Sequence, residues 1–272
     1  MPTTLAVFSD VHANLPALEA VLADLDARLG RGEADAVYCL GDLVGYATWP
    51  NEVVASVQER GIPTIAGNYD EGVGLGSDDC GCAYQTEEDK ARGAESIAYT
   101  NGAVTEATRR YLRSLPRHLR VTLAAPRDRK AEPVEVLMVH GSPRRVNEYL
   151  FEDRPDDLLL KRMAEAGADV MLFGHTHKPY HKALASENEA GETADGSPVY
   201  RHAVNTGSVG KPKDGDPRAC YVLLTVDPER PKTDPGYCTV EHVRVAYDVE
   251  AAARAVEASP LPDAFAQMLR DA

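Results

Sequence analysis

The chain has 272 residues, enough for one large domain or two small ones. Apolar residues make up 43% and charged residues 26%, a composition that excludes collagen-like, disordered and disulfide-scaffold proteins. Its 43 acidic and 29 basic residues give a net charge of -14, which disfavours binding to duplex nucleic acid or to anionic membranes. We therefore expect neither as a partner.

The chain shows no sign of export or membrane insertion. No apolar run approaches the roughly 18 residues of a membrane span, and the first ten residues lack the basic region of a signal peptide. Five scattered cysteines are typical of a reducing compartment, so we expect a cytoplasmic protein. Cys80 and Cys82 are a weak zinc signal, because a structural site needs four ligands and no second pair lies near.

The first half of the chain alternates strands and helices. Leucines and valines recur at helical spacing between Leu18 and Leu29, after a short apolar run. Alternation of this kind predicts an α/β layer architecture with parallel strand pairs. The predicted strands are 4–9, 36–40 and 62–66, and the predicted helices are the Leu18–Leu29 segment, one that begins at Pro50, and 86–114 with a break near Asn101.

The second half begins with strands buried on both faces and continues with strands alone. Strands are predicted at 134–140, 168–175, 180–185, 198–205, 219–226 and 237–246, with one helix at 156–166 and a polar hairpin connection at 186–197. Direct links between the later strands favour an antiparallel second sheet. We predict a single domain, 1–272, with two facing sheets and a short helical tail from about residue 248.

Polar segments follow the predicted buried strands, where an open α/β sheet presents its loops to a ligand. Taken alone, each segment could have a structural role and not a functional one, because a single Asp often caps a helix and a Gly-Asp pair often forms a turn. The five segments are Asp10-x-His12, Gly41-Asp42, Gly67-Asn68-Tyr69-Asp70, His140-Gly141 and Gly174-His175-Thr176-His177.

Taken together, these segments supply seven oxygen or imidazole donors and no thiolate. Imidazole with carboxylate is the ligand mixture of first-row ions such as manganese, iron, zinc or nickel. Seven ligands are too many for one tetrahedral ion, but they suit two ions that share a carboxylate. The sequence therefore predicts a binuclear metal site built from Asp10, His12, Asp42, Asn68, His140, His175 and His177.

The order D-x-H, GD, GN-x-D, H and GH-x-H over residues 10–177 resembles the calcineurin-like metallophosphoesterase superfamily. The segment NTGSVGKPKDGDPRACYVLL, residues 205–224, is similar to its small bacterial and archaeal phosphodiesterase branch. The resemblance implies an α/β fold, a four-layer sandwich with two central mixed β-sheets flanked by helices. The metals would lie at one edge of the sheets.

The resemblance also implies a role for each donor. One ion would be bound by Asp10, His12 and His177, the other by Asn68, His140 and His175, and Asp42 would bridge both. We expect two divalent ions, manganese first, with iron, zinc, nickel or cobalt as alternatives. Asn68 could also hold a phosphate oxygen through its amide, while Asp70 would orient the preceding side chain instead of binding metal.

Position 69 departs from the commoner pattern, GNHD or GNHE, because it is Tyr69. In the family that histidine is a candidate acid for the leaving group. A phenol with a pKa near ~10 gives up its proton less readily than imidazolium does. Tyr69 could replace the acid, line the pocket, or leave protonation to water.

Several basic residues follow the metal segments, and their ordinary role is surface solvation. At a phosphate site they would complement the negative charge of the substrate, and we select Arg144 as a phosphate-binding candidate because its planar fork pairs well with phosphate. The residues are Arg144, Arg145, Lys178, Lys211 and Lys213.

Our first hypothesis is a binuclear metal-dependent phosphoesterase, a phosphodiesterase rather than a monoesterase, in which a hydroxide between the ions attacks phosphorus. The alternative is an inactive scaffold or protein-binding module with the same fold, which the presence of all seven ligand types opposes. A nuclease would need a positive groove, so the net charge of -14 favours a small soluble phosphoester. The sequence makes no prediction of oligomeric state.

Overall fold

A computed structural model describes residues 1–83, 86–124, 132–186 and 197–272. The strands are β1 (Thr3–Phe8), β2 (Ala36–Cys39), β3 (His118–Leu123), β4 (Val134–Val139), β5 (Val170–Phe173), β6 (Tyr180–Ser186), β7 (Val199–Asn205), β8 (Ala219–Val226) and β9 (Cys238–Val245). The helices are α1 (Leu15–Gly30), α2 (Pro50–Glu59), α3 (Asn68–Leu75), α4 (Glu87–Ala103), α5 (Glu106–Ser114), α6 (Asp156–Glu165), α7 (Val249–Glu257) and α8 (Asp263–Asp271).

The strands form two mixed sheets, which we call sheet A and sheet B. Sheet A has the order β2-β1-β8-β9, and sheet B has the order β3-β4-β5-β7-β6. The pairs β1/β2, β4/β5 and β5/β7 are parallel, and the remaining neighbours are antiparallel. The predicted α/β fold with two central mixed sheets is confirmed.

Alternate side chains of the central strands enter two different apolar layers, as the two-residue period of a strand requires. In β1, Leu5 and Val7 lie in a core between the sheets, whereas Ala6 and Phe8 pack under α1 and α2. On the far side of sheet B, the side chains of β4 and β5 pack against α6. Helices, sheet, sheet and helix therefore make four layers. No helix among the described residues is long and apolar enough to cross a membrane.

This topology brings the carboxyl ends of four strands together. β1 and β2 run parallel in sheet A, β4 and β5 run parallel in sheet B, and each is followed directly by one of the polar segments. A hydrogen bond joins the two sheets at this end, because His140 Nδ1 donates to the carbonyl of Leu40 over 2.9 Å. Loops from both sheets thus meet at one edge.

The structure corrects two sequence expectations. Residues 62–66 form only an isolated bridge, Thr64 to Cys39, because β2 ends at Cys39 and the amide of Ala66 turns to the carbonyl of Pro116. The later strands do not make a separate antiparallel sheet, because β6 and β7 join sheet B while β8 and β9 join sheet A. The predicted connection at 186–197 lies, apart from its two ends, outside the described residues.

The sequence did not predict α3 or β3. α3 contains Gly72 and Gly74 and begins within a metal-binding segment, so its pattern indicates a loop. β3 is an edge strand of sheet B whose residues alternate between exposed and half-buried, so it lacks an apolar run.

The core between the sheets gives the first testable prediction. Leu172 of β5 is fully buried there, so Leu172→Ala should lower the free energy of unfolding by about 2–5 kcal/mol through lost contacts and a cavity. Leu75→Ala is the matched control, since Leu75 is 74% exposed and the same truncation should cost no more than about 0.5 kcal/mol. Urea denaturation measures both, and equal losses would contradict the assigned core.

Candidate metal centre

The candidate ligands lie in short loops at the ends of strands, and five of them have strained backbones. The angle φ is 55° at Asp10, 48° at His12, 53° at Asp42, 65° at His175 and 61° at His177. A residue with a side chain at positive φ costs roughly 1–3 kcal/mol, and such residues concentrate at functional sites. The surrounding fold therefore holds these loops in a conformation that they would not adopt alone.

Neighbouring glycines let the loops pack closely against one another. A Cβ at Gly41 would lie 2.2 Å from the amide nitrogen of Gly67, and a Cβ at Gly174 would lie 2.4 Å from Asp10 Oδ2. A Cβ at Gly210 would lie 1.7 Å from the carbonyl oxygen of Val11. A larger residue at any of these positions would push the candidate ligands apart.

Six of the seven predicted ligands form two buried groups in which the donor atoms lie within 4.8 Å of one another. The first group is Asp10, His12 and His177, and the second is Asp42, His140 and His175. His175 and His177 follow β5 in one loop and belong to different groups. Each group takes side chains from loops of both sheets.

Three of the four imidazoles are oriented by backbone carbonyls. Nδ1 of His12 lies 3.1 Å from the carbonyl of Val44, and Nδ1 of His177 lies 2.6 Å from that of Lys211. His140 makes the same contact with Leu40. A carbonyl can only accept, so each Nδ1 carries the proton and each Nε2 of a neutral ring presents a lone pair to the centre.

The inward lone pairs face one another, which is unfavourable unless a cation lies among them. Nε2 of His12 is 3.1 Å from Nε2 of His177, although both rings already carry their proton at Nδ1. Asp10 Oδ1 and His175 Nε2 are buried without a hydrogen-bond partner. Buried polar atoms are normally satisfied, so this set of donors fits metal ions.

Asn68 is oriented in the same way. Its Nδ2 donates to the carbonyl of Cys80 over 3.0 Å and lies 3.2 Å from Cys82 Sγ, which leaves Oδ1 facing His140 Nε2 at 3.2 Å. The amide nitrogen is therefore engaged by the loop after α3. The carbonyl oxygen is the atom that Asn68 offers to the centre.

Asp42 belongs to the second group and also approaches the first. Its Oδ2 is 3.6 Å from His12 Nε2 and 3.3 Å from His140 Nε2, while its Oδ1 accepts the amide of Tyr69 at 2.8 Å. The two oxygens of Asp10 are used in the same way, since Oδ2 accepts a hydrogen bond from the amide of His175 and Oδ1 lies 3.3 Å from His177 Nε2. One oxygen of each carboxylate is used by the backbone and the other faces the centre.

The electrostatics of the centre favour added positive charge. Burial opposes the charged form of His140, but Asp42 and Asp10 outweigh it and raise the pKa of His140 to about 10. Burial lowers the pKa of His175 and of His177 to about 3, so both stay neutral. One imidazolium against two carboxylates leaves a net negative charge, which divalent cations would neutralise.

Asp70 joins two of the metal loops without facing the centre. Its Oδ1 accepts the amide of Leu43 at 2.9 Å, and its Oδ2 accepts the amide of Gly67 at 3.0 Å. Burial and the charge of Asp42 raise the pKa of Asp70 to about 7. The carboxylate thus positions Asp42 and Asn68 through the backbone.

Tyr69 and Arg144 occupy different surroundings. Tyr69 is 1% exposed, and its ring lies 4.8 Å from that of Tyr46 and 5.5 Å from that of His12. Hydrogen bonds from Cys82 and from the side chain of Tyr69 lower the pKa of Cys80. Arg144 is exposed and lines a small cavity of about 260 Å³, which His140 also borders.

The sequence did not point to Tyr46 or Tyr149, which form the immediate surroundings of the ligands. The Tyr46 ring lies 4.9 Å from the ring of His12, and the Tyr149 ring lies 4.0 Å from that of His175. Tyr46 has a left-handed backbone, with φ of 63°, and no sequence pattern indicates this conformation. Among the basic residues, Lys211 is buried, whereas Lys178 and Lys213 are exposed.

This chain resembles known proteins over most of its length. A family model described as the calcineurin-like phosphoesterase superfamily domain matches residues 4–229. An uncharacterized protein of Methanocaldococcus jannaschii is 29% identical over 272 residues, covering 97% of this chain and 96% of that protein.

Two solved structures are similar over nearly the whole chain. A metallophosphoesterase from Sphaerobacter thermophilus has a TM-score of 0.69 and 28% identity, covering 100% of this chain and 99% of that one. A hypothetical protein from Pyrococcus horikoshii OT3 shares the fold, with a TM-score of 0.73, 22% identity and coverage of 98% and 97%.

The two hydrogen bonds of Asp70 give a testable prediction. In Asp70→Asn the amide group faces one of the two backbone N–H groups, so one buried donor loses its acceptor. The free energy of unfolding should fall by about 1–3 kcal/mol, and metal affinity by about ten- to a hundredfold.

Urea denaturation with chelator and metal titration measure the two effects, at about pH 8, above the raised pKa of Asp70 of about 7. Asp26→Asn is the control, because Asp26 is exposed and only pairs with Arg60 at the surface. If Asp70→Asn had the same free energy of unfolding and the same metal affinity as Asp26→Asn, the positioning role of Asp70 would be ruled out.

Proposed function

The chain belongs to the calcineurin-like phosphoesterase superfamily, and we propose that it is a phosphodiesterase that uses two divalent metal ions. One observation carries the proposal: two adjacent buried groups of carboxylate and imidazole donors, with their free lone pairs turned towards one another. A protein that used this fold only as a scaffold would gain nothing from such an arrangement, which is costly without cations.

We assign the ligands as the geometry groups them. Asp10, His12 and His177 would hold one ion, Asn68, His140 and His175 the other, and Asp42 would be shared. Oxygen and imidazole donors suit manganese, and also iron, zinc, nickel or cobalt. Divalent ions bound here would polarise the phosphoryl oxygens and lower the pKa of a coordinated water.

The chain's own residues orient these donors and exclude water from them. Backbone carbonyls fix three imidazoles, and Asp70 fixes the loops of Asp42 and Asn68. Because the amide nitrogen of Asn68 is engaged by Cys80, we place Asn68 among the ligands and not among the phosphate donors. Arg144, beside the smaller cavity near His140, remains a candidate for binding phosphate.

The surroundings of the centre support a diester substrate. A cleft of about 900 Å³ lies beside it, lined by Tyr46, Tyr149 and residues of α8. This volume is within the range of sites for drug-sized ligands and leaves room for organic groups on a phosphate. We propose a small phosphodiester as substrate and, from the scattered thiols, a cytoplasmic location.

Loss of the shared carboxylate should abolish the activity. Asp42→Asn removes the charge that both ions would use, so hydrolysis of bis-p-nitrophenyl phosphate should fall by more than about a hundredfold, since losing an outer partner of a ligand alone costs about ten- to a hundredfold. Elemental analysis should find two ions per chain in the parent protein and fewer in the variant.

Asp157→Asn is the control, because Asp157 is exposed on α6, away from the centre. Full activity of Asp42→Asn, or no hydrolysis by the parent protein with any divalent ion, would overturn the proposed function. The second result would favour the scaffold.

Tyr69 gives a separate prediction, because it stands where a proton-donating histidine would be expected. Without an efficient donor, nitrophenyl esters should react much faster than alkyl esters, since general acid catalysis is typically worth ~10²–10⁴-fold. Tyr69→Phe should then change the rate on nitrophenyl esters by less than about tenfold, equal to ~1.4 kcal/mol. Steady-state kinetics on both ester classes test this, and a larger loss would make the phenol a direct participant.

A further inference from the structure

The cleft lies beside the metal centre, and three of its lining residues contact candidate ligands of the two ions. These are Tyr46, Cys82 and Tyr149, which contact His12, Asn68 and His175 respectively. A substrate phosphate at the centre would therefore extend its organic part into this cleft. The side chains further along it should match the rest of the substrate.

Lys211 is a buried basic side chain in the wall of the cleft, only 7% exposed. Its main chain is fixed, because its amide donates to Ser208 Oγ over 2.8 Å and its carbonyl accepts from His177 Nδ1 at 2.6 Å. The residue before it, Gly210, packs against the carbonyl of Val11 with no room for a side chain. The segment cannot carry Lys211 into bulk solvent without disturbing the metal ligands.

The ammonium of Lys211 has no carboxylate of its own in the described part of the chain. Its Nζ lies 4.6 Å from the centroid of the Tyr46 ring, a cation–π contact that offsets only part of the cost of burial. Asp89, which also lines the cleft, forms an ion pair with Arg92, with 3.7 Å between Asp89 Oδ1 and Arg92 Nη1. Burial and the charge of Lys213 lower the pKa of Lys211, and an anion in the cleft would supply the missing partner and favour the charged ammonium.

Lys211 and Lys213 lie at different depths relative to the centre. The charge of Lys213 acts on Asp10 and Asp42, the carboxylates of the two metal groups. Lys211 is buried in the wall of the cleft, where the charge of the exposed Lys213 opposes its own and Cys82 and Asp89 favour it. Both lysines line the cleft, so two negative charges on one substrate would find a cation each, and Lys211 is the buried one.

Another part of the cleft is flat and apolar. The rings of Tyr149 and Phe151 are stacked, with centroids 5.6 Å apart and planes 9° from parallel. Phe265 and Met268 of α8 add further apolar surface. Stacked aromatic side chains of this kind favour a planar ring in the ligand.

We propose that the cleft binds a phosphodiester whose organic group carries a planar aromatic ring and a second phosphate, with Lys211 binding the second phosphate. The ring lies against the Tyr149 and Phe151 pair. This inference rests on the proposed phosphodiesterase function, and it assigns Lys211 to substrate specificity.

Three substrates with the same leaving group separate these contributions. They are methyl p-nitrophenyl phosphate, thymidine 5′-(p-nitrophenyl phosphate) and the 3′-phosphorylated form of the latter. In each, water forms a new P–O bond, the bond to the aryl oxygen breaks, and p-nitrophenolate and a phosphomonoester are released. The parent protein should show the highest kcat/KM on the 3′-phosphorylated substrate.

Lys211→Gln should reduce the preference for the 3′-phosphorylated substrate over the unphosphorylated thymidine ester by about ten- to a hundredfold, the loss of one hydrogen bond to a charged group. Lys161→Gln removes the same charge from the exposed face of α6 and should keep the preference of the parent protein. Phe151→Leu should reduce the preference for either thymidine ester over the methyl ester.

Calorimetry provides a readout that does not depend on turnover. Lys211→Gln should bind thymidine 3′,5′-bisphosphate about tenfold or more weakly than the parent protein does, with a smaller change for thymidine 5′-monophosphate. If Lys211→Gln does not fold, Lys211→Met keeps the contact with Tyr46 and serves in its place. Circular dichroism checks that each variant is folded.

The outcomes distinguish this inference from the function on which it rests. Hydrolysis of the methyl ester without a preference for the 3′-phosphate, or a preference that survives loss of Lys211, would overturn the inference and leave the phosphodiesterase intact. No hydrolysis of any substrate would overturn the proposed function. In that case, unchanged bisphosphate binding by Lys211→Gln would also overturn the role of Lys211, and weakened binding would support it.

Discussion

The structure depends on a cluster of lone pairs that face one another in a buried space. The imidazoles of His12, His140 and His177 are fixed by carbonyls at Nδ1, so their Nε2 atoms and the free oxygens of Asp10 and Asp42 converge. Such an arrangement is unfavourable by itself, since His12 and His177 are neutral and cannot donate from Nε2, and the one proton on His140 Nε2 does not satisfy both carboxylates. Cations bound among these atoms would make the same contacts favourable. The strained loops and the glycines around them therefore hold the donors in a metal-binding arrangement.

Metal binding would also connect the two sheets to each other. The first group combines Asp10 and His12 from sheet A with His177 from sheet B, and the second combines Asp42 from sheet A with His140 and His175 from sheet B. Each ion would therefore join the two sheets at the edge where the apolar core between them ends. Because a ligand that binds only the folded state stabilises it, ions bound here would help to hold the sheets together as well as supply chemistry.

The sequence was most informative where an aspartate or a histidine follows the end of a strand. Asp10, Asp42 and His140 could be found because each directly follows a strand with a recognisable apolar pattern. Tyr46 and Tyr149 could not, since they reach the ligands through packing between segments far apart in the chain, and an aromatic residue in a loop has no periodicity. The edge strand β3 and the glycine-containing α3 were missed for a related reason: tertiary contacts, and not local patterns, determine them.

One segment, 207–211, links the metal centre to the cleft. Ser208 donates to the carbonyl of Asp10, Gly210 packs on Val11, and the carbonyl of Lys211 orients His177. All of these contacts use the backbone or small side chains, whereas the side chain of Lys211 alone faces the cleft. The main chain at this position can therefore keep orienting a metal ligand when the side chain changes, as long as the residue keeps its amide N–H. It follows that substrate selectivity can change at position 211 while the metal centre stays intact, which a substitution at Gly210 would not allow.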